Sequence, residues 1–225
     1  MRILVFVFVL LAALLVGAEE ATYLFSDGDV PVPTAANGYV QEVRELADGI
    51  HEAHVSALLA PIGATGTYAQ VVAEGVPVVP AGFALPPRLK AALRPELEAW
   101  EAATMVLEWA ADNLVLDVSD NGPQDAFSVL ERGRGRCSGL ANSTAALLLT
   151  AGFEARTVSG LLVGEDEAVP HRWLECRLPG AGWVPTDPTL GLWIITSRHV
   201  VFSDTVVQLP VVQKIRGEGA KGKYI

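Results

Sequence analysis

The chain has 225 residues, room for one or at most two domains. Hydrophobic side chains make up 51% and charged ones 19%, which excludes a disordered polyelectrolyte and allows a core of ordinary size. A net charge of −10 argues against a nucleic-acid partner; two cysteines exclude a disulfide scaffold and a Cys-rich zinc site, and four histidines leave little room for a multi-metal site.

Arg2 precedes an unbroken apolar run of 14 residues, Ile3 to Val16, and then Gly17 and Ala18. A basic start, a short apolar core and small residues form a secretory signal. Residues 1–18 are read as that signal, cleaved after Ala18 and before Glu19. The expected location is periplasmic or extracellular. The alternative is an uncleaved anchor, the one route to a membrane; the run falls short of the roughly 20 residues a span needs.

Residues 19–94 read as an N-terminal extension packed on the main domain. They carry Pro31, Pro33, Pro61, Pro77, Pro80, Pro86 and Pro87, half of the 14 prolines. The expectation is a mainly helical or irregular segment, with a helix from Tyr39 to Leu59. Gly63–Gly66 and Val76–Pro80 read as loop or short edge strand.

Residues 95–213 read as the main domain. Leu97, Trp100, Thr104, Leu107, Ala111 and Leu114 recur at three- and four-residue steps, which predicts one buried helical stripe. Asp120–Pro123 is a turn, with a short helix over Gln124–Glu131 behind Pro123. Arg132–Arg136 is a Gly/Arg loop. Cys137–Ala151 is a second helix, stopped by Gly152. The period then changes to strands: Ala155–Val163, Val169–Leu178 and Trp183–Asp187, joined at Gly164–Glu167 and Pro179–Gly182. Leu190–Thr196 and His199–Phe202 extend the sheet. Helices followed by an antiparallel meander make the fold class α+β. Residues 214–225, with Lys214, Arg216, Lys221 and Lys223, read as a basic flexible tail.

Three residues stand out chemically. Cys137 opens a helix behind Arg134-Gly135-Arg136. There the unpaired N–H groups and the helix dipole favour the thiolate, and the same N–H groups suit an oxyanion. Gly135 reads as room for a substrate backbone, and the two arginines add positive potential. His171, on a strand, suits the base that takes the thiol proton and returns it to a leaving group. Asp187, sixteen residues on and one hairpin away, suits the group that fixes the imidazole tautomer. Each alone has a plain structural reading: a buried thiol, a satisfied strand histidine, a turn aspartate. A Cys137–Cys176 disulfide would abolish the nucleophile, but strand alternation turns Cys176 to the face opposite His171. His51 and His54 read as one face of the Tyr39–Leu59 helix, not as zinc ligands. His199 reads as a strand-edge cap and not as the base.

Together these motifs resemble the transglutaminase-like, papain-related superfamily. The resemblance rests on Val129 to Ala141 around Cys137, Ala151 to Gly160, His171-Arg172-Trp173-Leu174-Glu175, and Gly182 to Pro188, in that order. Leu107-Glu108-Trp109 to Leu114 looks like the helix before the family's core, and Asp125, Ala126 and Leu130 like its linker helix. The resemblance covers roughly residues 97–202. It implies a nucleophile helix on an antiparallel sheet, with Cys137 as nucleophile, His171 as base and acid, and Asp187 as orienting group. It implies acyl transfer at amide bonds of a peptide or protein substrate, with no metal or organic cofactor. The family's second oxyanion donor lies upstream of the cysteine; Trp109, Asn113 and Gln124 are the candidates. Leu116 stands where the family often has an aromatic residue, and Ser138 and Gly139 are smaller than its usual residues. Hydrolysis is favoured over cross-linking, which needs a second site for an amine. The alternative is a non-catalytic module that binds a peptide or envelope partner, with residues 19–90 covering the cleft or providing an interface. The sequence leaves the oligomeric state open.

Overall fold

The computed structural model describes residues 18–47, 49–58, 63–74, 79, 82–165, 167–203 and 211–217. The leader run, most of Val76–Pro80 and the end of the chain lie outside the described residues. In chain order the elements are β1 (Glu19–Ser26), β2 (Thr34–Ala36), β3 (Tyr39–Ala47), β4 (Ile50–Ala57), α1 (Tyr68–Glu74), α2 (Pro87–Ala92), α3 (Ala99–Asn113), β5 (Val115–Leu116), α4 (Ala126–Arg132), β6 (Arg134–Gly135), α5 (Cys137–Thr150), β7 (Ala155–Val163), β8 (Ala168–Leu178), β9 (Gly182–Thr186), β10 (His199–Val201) and β11 (Val211–Gly217). The fold is α+β, as the order of patterns predicts.

The second half follows the expected plan. A four-stranded antiparallel sheet has the order β10-β7-β8-β9. β8 shows why its pattern is so apolar. Leu174, Cys176 and Leu178 pack in the cluster of α3 and α5, while Trp173 joins a second cluster with Tyr23, Tyr39 and Val55. Alternating side chains of one strand thus serve two cores. On α4, Asp125 accepts the Ser128 N–H (3.0 Å) as the N-cap, so the helix starts two residues later than Pro123 suggests.

The stripe on α3 is shifted. Its buried face runs through Ala99, Ala102, Ala103, Val106, Leu107 and Ala110, whereas Ala111 is exposed. Alanines let α3 lie close to α5. Trp100 and Thr104 are half-buried because they serve Trp193: the two indoles stack at 4.2 Å, and Trp193 Nε1–H donates to Thr104 Oγ1 (2.9 Å). Leu190–Thr196 is not a strand. Leu190 and Gly191 N–H both bond the Asp187 carbonyl (3.1 Å each), so the chain winds around Asp187 instead of pairing with β9. His199–Val201 then pairs with β7 on the far side of the sheet.

The N-terminal region is the main correction. The expected helix over Tyr39–Leu59 is a hairpin of β3 and β4, turning at Gly49, within a five-stranded sheet of order β11-β1-β4-β3-β2. Burial at Ala53, Val55 and Ala57 has period two, not 3.6. His51 and His54 therefore point to opposite faces, and His54 Nδ1 lies 3.1 Å from Thr22 Oγ1. The stretch 211–217 is strand β11, paired with β1, so the expected tail begins as sheet.

This sheet bonds both edges of the other. Asn37 N–H donates to Trp183 O at β9 (2.7 Å), and Val32 N–H to Val201 O at β10 (3.1 Å). Gln41, almost fully buried, donates through Nε2 to Val201 O (2.9 Å) and accepts the Val201 N–H (2.8 Å). Tyr39 donates its hydroxyl to His199 O (2.7 Å).

Gly160 on β7 pairs with His171 on one side and Val201 on the other. A Cβ there would collide with Val200 O and stand 2.8 Å from the Trp173 ring. Gly160→Ala is expected to cost about 1–3 kcal/mol by overpacking, read as a lower midpoint in urea unfolding. A wild-type midpoint would contradict this account of β10 packing.

Candidate active site

Cys137 is the first residue of α5, behind the extended N-cap Arg136. Its loop is held from below. Arg136 N–H donates to Gln124 Oε1 (2.8 Å), and Gln124 Nε2 donates to Asp120 Oδ2 (3.0 Å) and Gly122 O (2.9 Å). Asp120 also takes Arg132 (2.9 Å). The Gly122 N–H and the Gln124 amide hold the Asp120 carboxyl down at about 2. Gly135 is buried: a Cβ would stand 3.0 Å from both Gln124 Oε1 and Val129 Cγ2. Its small size therefore seats the loop on Gln124 and Val129, rather than admitting a substrate backbone as the sequence suggested.

β8 brings His171 to this point, and β9 ends at Thr186, opposite Leu174. Beyond the end of β9, the Arg172 N–H and the Ser138 N–H at the helix start both act to lower the Cys137 thiol pKa. Asp187 follows directly on β9. His171 Nε2 lies 2.6 Å from Asp187 Oδ2. That bond leaves Nδ1 as the ring nitrogen for the thiol. Trp173 stacks on the His171 ring at 6.1 Å and 24°.

Asp187 is fully buried and accepts four hydrogen bonds. Oδ1 takes the Thr189 N–H (2.9 Å) and hydroxyl (2.7 Å). Oδ2 takes His171 and also His199 Nε2 (3.0 Å). Burial opposes the charge, yet the His171 and His199 hydrogen bonds hold the carboxyl below the ordinary range. His199 was assigned to a strand edge by sequence; it stands instead at the centre. No local motif points to it, because the contact depends on where β10 pairs.

The thiol and imidazole shift in opposite directions. Burial pushes the Cys137 thiol up, but the hydrogen bond and charge of His171 pull it below its usual value. Burial likewise opposes charge on His171, but Asp187 and Cys137 raise it to about 9. These shifts favour a thiolate–imidazolium pair near neutrality. Both cysteines are free; Cys176 is fully buried and its thiol is pushed up.

Two of the three upstream candidates lie on α3. Asn113 donates to Trp109 O (2.8 Å) within that helix, and Trp109 packs on the helical core. Gln124 does adjoin the Cys137 loop, but its two amide hydrogens already bond Asp120 and Gly122.

The ligand atoms of His171, Asp187 and His199 lie within 4.8 Å of one another, the kind of grouping that can hold a metal ion. Both Nε2 atoms reach the same Asp187 oxygen at hydrogen-bond distance, so shared protons account for the cluster. A separate cleft of about 420 Å³, lined by Glu74, Gly152 and Pro179, lies at the opposite end of α5 and holds none of these groups.

The shifts predict a pH dependence of stability. In Cys137→Ala the thiol no longer titrates, and Asp187 still raises His171. A raised folded pKa gives stability that is fully present below roughly pH 6.5 and is lost as pH rises through the folded value. Urea unfolding of Cys137→Ala is expected to show stability falling with pH above neutrality. Adding Asp187→Asn should remove that slope. A flat profile in Cys137→Ala alone would contradict the His171–Asp187 coupling. In the wild type, the opposite shift of Cys137 offsets part of the slope.

Residues 87–188 match the model of the transglutaminase-like superfamily. No curated protein matches the chain. Among solved structures, the chain is similar to a candidate cysteine protease from Cytophaga hutchinsonii, at 13% identity and TM-score 0.48, covering 89% of this chain and 87% of that one. It is also similar to the periplasmic domain of TgpA from Pseudomonas aeruginosa, at 17% identity and TM-score 0.47, covering 76% and 69%. The matched stretch runs from α2 to the residue after Asp187, and over these residues the chain is transglutaminase-like.

Proposed function

We propose that this protein is an exported cysteine-dependent acyl-transfer enzyme acting at amide bonds, peptide or isopeptide, of a peptide or protein substrate. The superfamily is generally enzymatic. The observation that carries the reading is Cys137 at the start of α5 against His171, whose Nε2 is 2.6 Å from a buried Asp187. Its exported location rests on Arg2, the apolar run to Val16 and the small residues before Glu19.

In this mechanism the Cys137 thiolate attacks the carbonyl carbon of the amide. The C–S bond forms and the carbonyl oxygen takes the negative charge, for which the N–H groups at the start of α5 are the nearest fixed donors. His171 gives its proton to the departing nitrogen, the C–N bond breaks and a thioester remains on Cys137. His171, now neutral, takes a proton from water as water attacks the thioester. The acid leaves and the thiolate returns. Asp187 keeps Nε2–H bonded throughout, so the proton in transit is the one on Nδ1.

Water is favoured as acceptor because Cys137 is partly exposed and needs only solvent access. The binding-module reading would gain from a Cys137 buried beneath residues 19–90, and the partial exposure of Cys137 lends it no such support.

The test uses the full-length chain expressed with its leader. The mature protein is expected outside the cytoplasm with Glu19 first. Incubated with a library of peptides and activated peptide esters, it should gain an acyl mass on Cys137 that is lost as free acid. Cys137→Ala should give no adduct. Asp187→Asn should slow turnover by about 10²–10⁴-fold. Transfer to an added amine in preference to water would overturn hydrolysis. No adduct from any peptide or ester, with Cys137 accessible to alkylation, would overturn the enzyme reading.

A further inference from the structure

His199 has no part in the Cys–His–Asp scheme, yet the fold invests heavily in its position. It is fully buried, and its ring packs edge-on to Trp173 at 5.1 Å and 5.7 Å from the His171 ring. Its Nδ1 accepts the Thr196 N–H (3.1 Å) and also lies 3.1 Å from Thr196 Oγ1 and 3.3 Å from Thr196 O; the acceptor-only carboxylate at the other nitrogen is what calls for the Nε2–H tautomer in the neutral ring. Its Nε2 then reaches Asp187 Oδ2 at 3.0 Å, the same oxygen that His171 reaches at 2.6 Å. The backbone is pinned as well, by the Tyr39 hydroxyl on His199 O and by Gln41 on Val201.

We propose that His199 is a positioning residue: its Nε2–H clamps Asp187 Oδ2 where the His171 Nε2–H also lands, so that Oδ2 keeps its direction and His171 keeps Nδ1 turned to Cys137. The inference rests on the acyl-transfer reading above. Thr189 holds Oδ1 through two hydrogen bonds, so the carboxylate pivots there, and the tilt of Oδ2 is set from two strands with His199 and from His171 alone without it. Burial holds the His199 ring below its ordinary pKa, so it donates as a neutral group and adds no positive charge beside His171. The other titratable or charged groups around it are Tyr39 from β3, Tyr23 and Glu19 from β1, and Arg198 beside it. Tyr23 donates to Ser197 O (3.1 Å), Glu19 accepts the Ser197 N–H (3.4 Å), and Arg198 donates to Val163 O (2.7 Å).

The test is the pH profile of Cys137 alkylation by iodoacetamide in the wild type, His199→Phe and His199→Gln. Phe keeps the ring volume without the donor; Gln keeps an amide N–H that can reach Asp187. His199→Phe is expected to lose about tenfold in rate on the acid side, the effect of one unit in the thiol pKa. His199→Gln should recover most of that loss. A role in packing alone would lower thermal stability and leave the profile at wild type, and that result overturns the proposal. If His199→Phe does not fold, nitrogen-15 NMR of the wild-type histidines decides. The expected result is a neutral Nε2–H His199 while His171 is charged; an Nδ1–H or charged His199 overturns the clamp. The failures are distinguishable. An ordinary thiol profile in the wild type overturns the acyl-transfer reading with it. A low wild-type profile unchanged in His199→Phe overturns this inference alone.

Discussion

A carboxylate with no exposure to water is costly unless its charge is answered by donors. Asp187 is such a group, and its four hydrogen bonds organise much of the second half of the chain. The loop after β9 winds around it and so cannot continue the meander. The chain crosses to the far side of β7 and forms β10, which carries His199 back to the same oxygen. The N-terminal sheet bonds the other side of β10 through Tyr39 and Gln41. Residues far from Cys137 in sequence thus bear on the geometry of the His171 ring beside it.

The same carboxylate sets the proton distribution. Fixed negative charge at Nε2 favours a proton on the His171 ring, and a charged ring favours the thiolate. The backbone adds to this at two points, the Ser138 N–H at the start of α5 and the Arg172 N–H freed where β9 stops. His199 is kept uncharged by the same burial that would penalise a second cation. The two histidines on one carboxylate oxygen are thus shifted in opposite directions, His171 up and His199 down.

The legible part of the sequence was the part with local signals. Cys137–Thr150, Ala155–Val163 and the His171 strand follow from runs of apolar residues between glycines, and the residue types at 137, 171 and 187 have one shared chemistry. The N-terminal hairpin was misread because apolar and polar residues over 39–59 fit a helical spacing nearly as well as alternation. Asp48-Gly49 was the available signal, since that dipeptide marks a hairpin turn. His199 was not legible at all. Its role depends on β10 choosing the β7 edge, a long-range pairing that no window of sequence contains. Gln124 adjoins the Cys137 loop through its oxygen, which accepts the Arg136 N–H. The pairing of β11 with β1 was hidden for the same reason as His199, because the two strands come from opposite ends of the chain.

The central claim is that Cys137 and His171 form a thiolate–imidazolium pair supported by Asp187. The most direct measurement is the ultraviolet absorbance of the thiolate against pH, taken as the difference between the wild type and Cys137→Ser, and repeated with His171→Ala. The account predicts that Cys137 ionises well below the ordinary thiol value of about 8.5 and that His171→Ala returns it to or above that value. Ionisation at the ordinary value, unchanged by removal of His171, would contradict it.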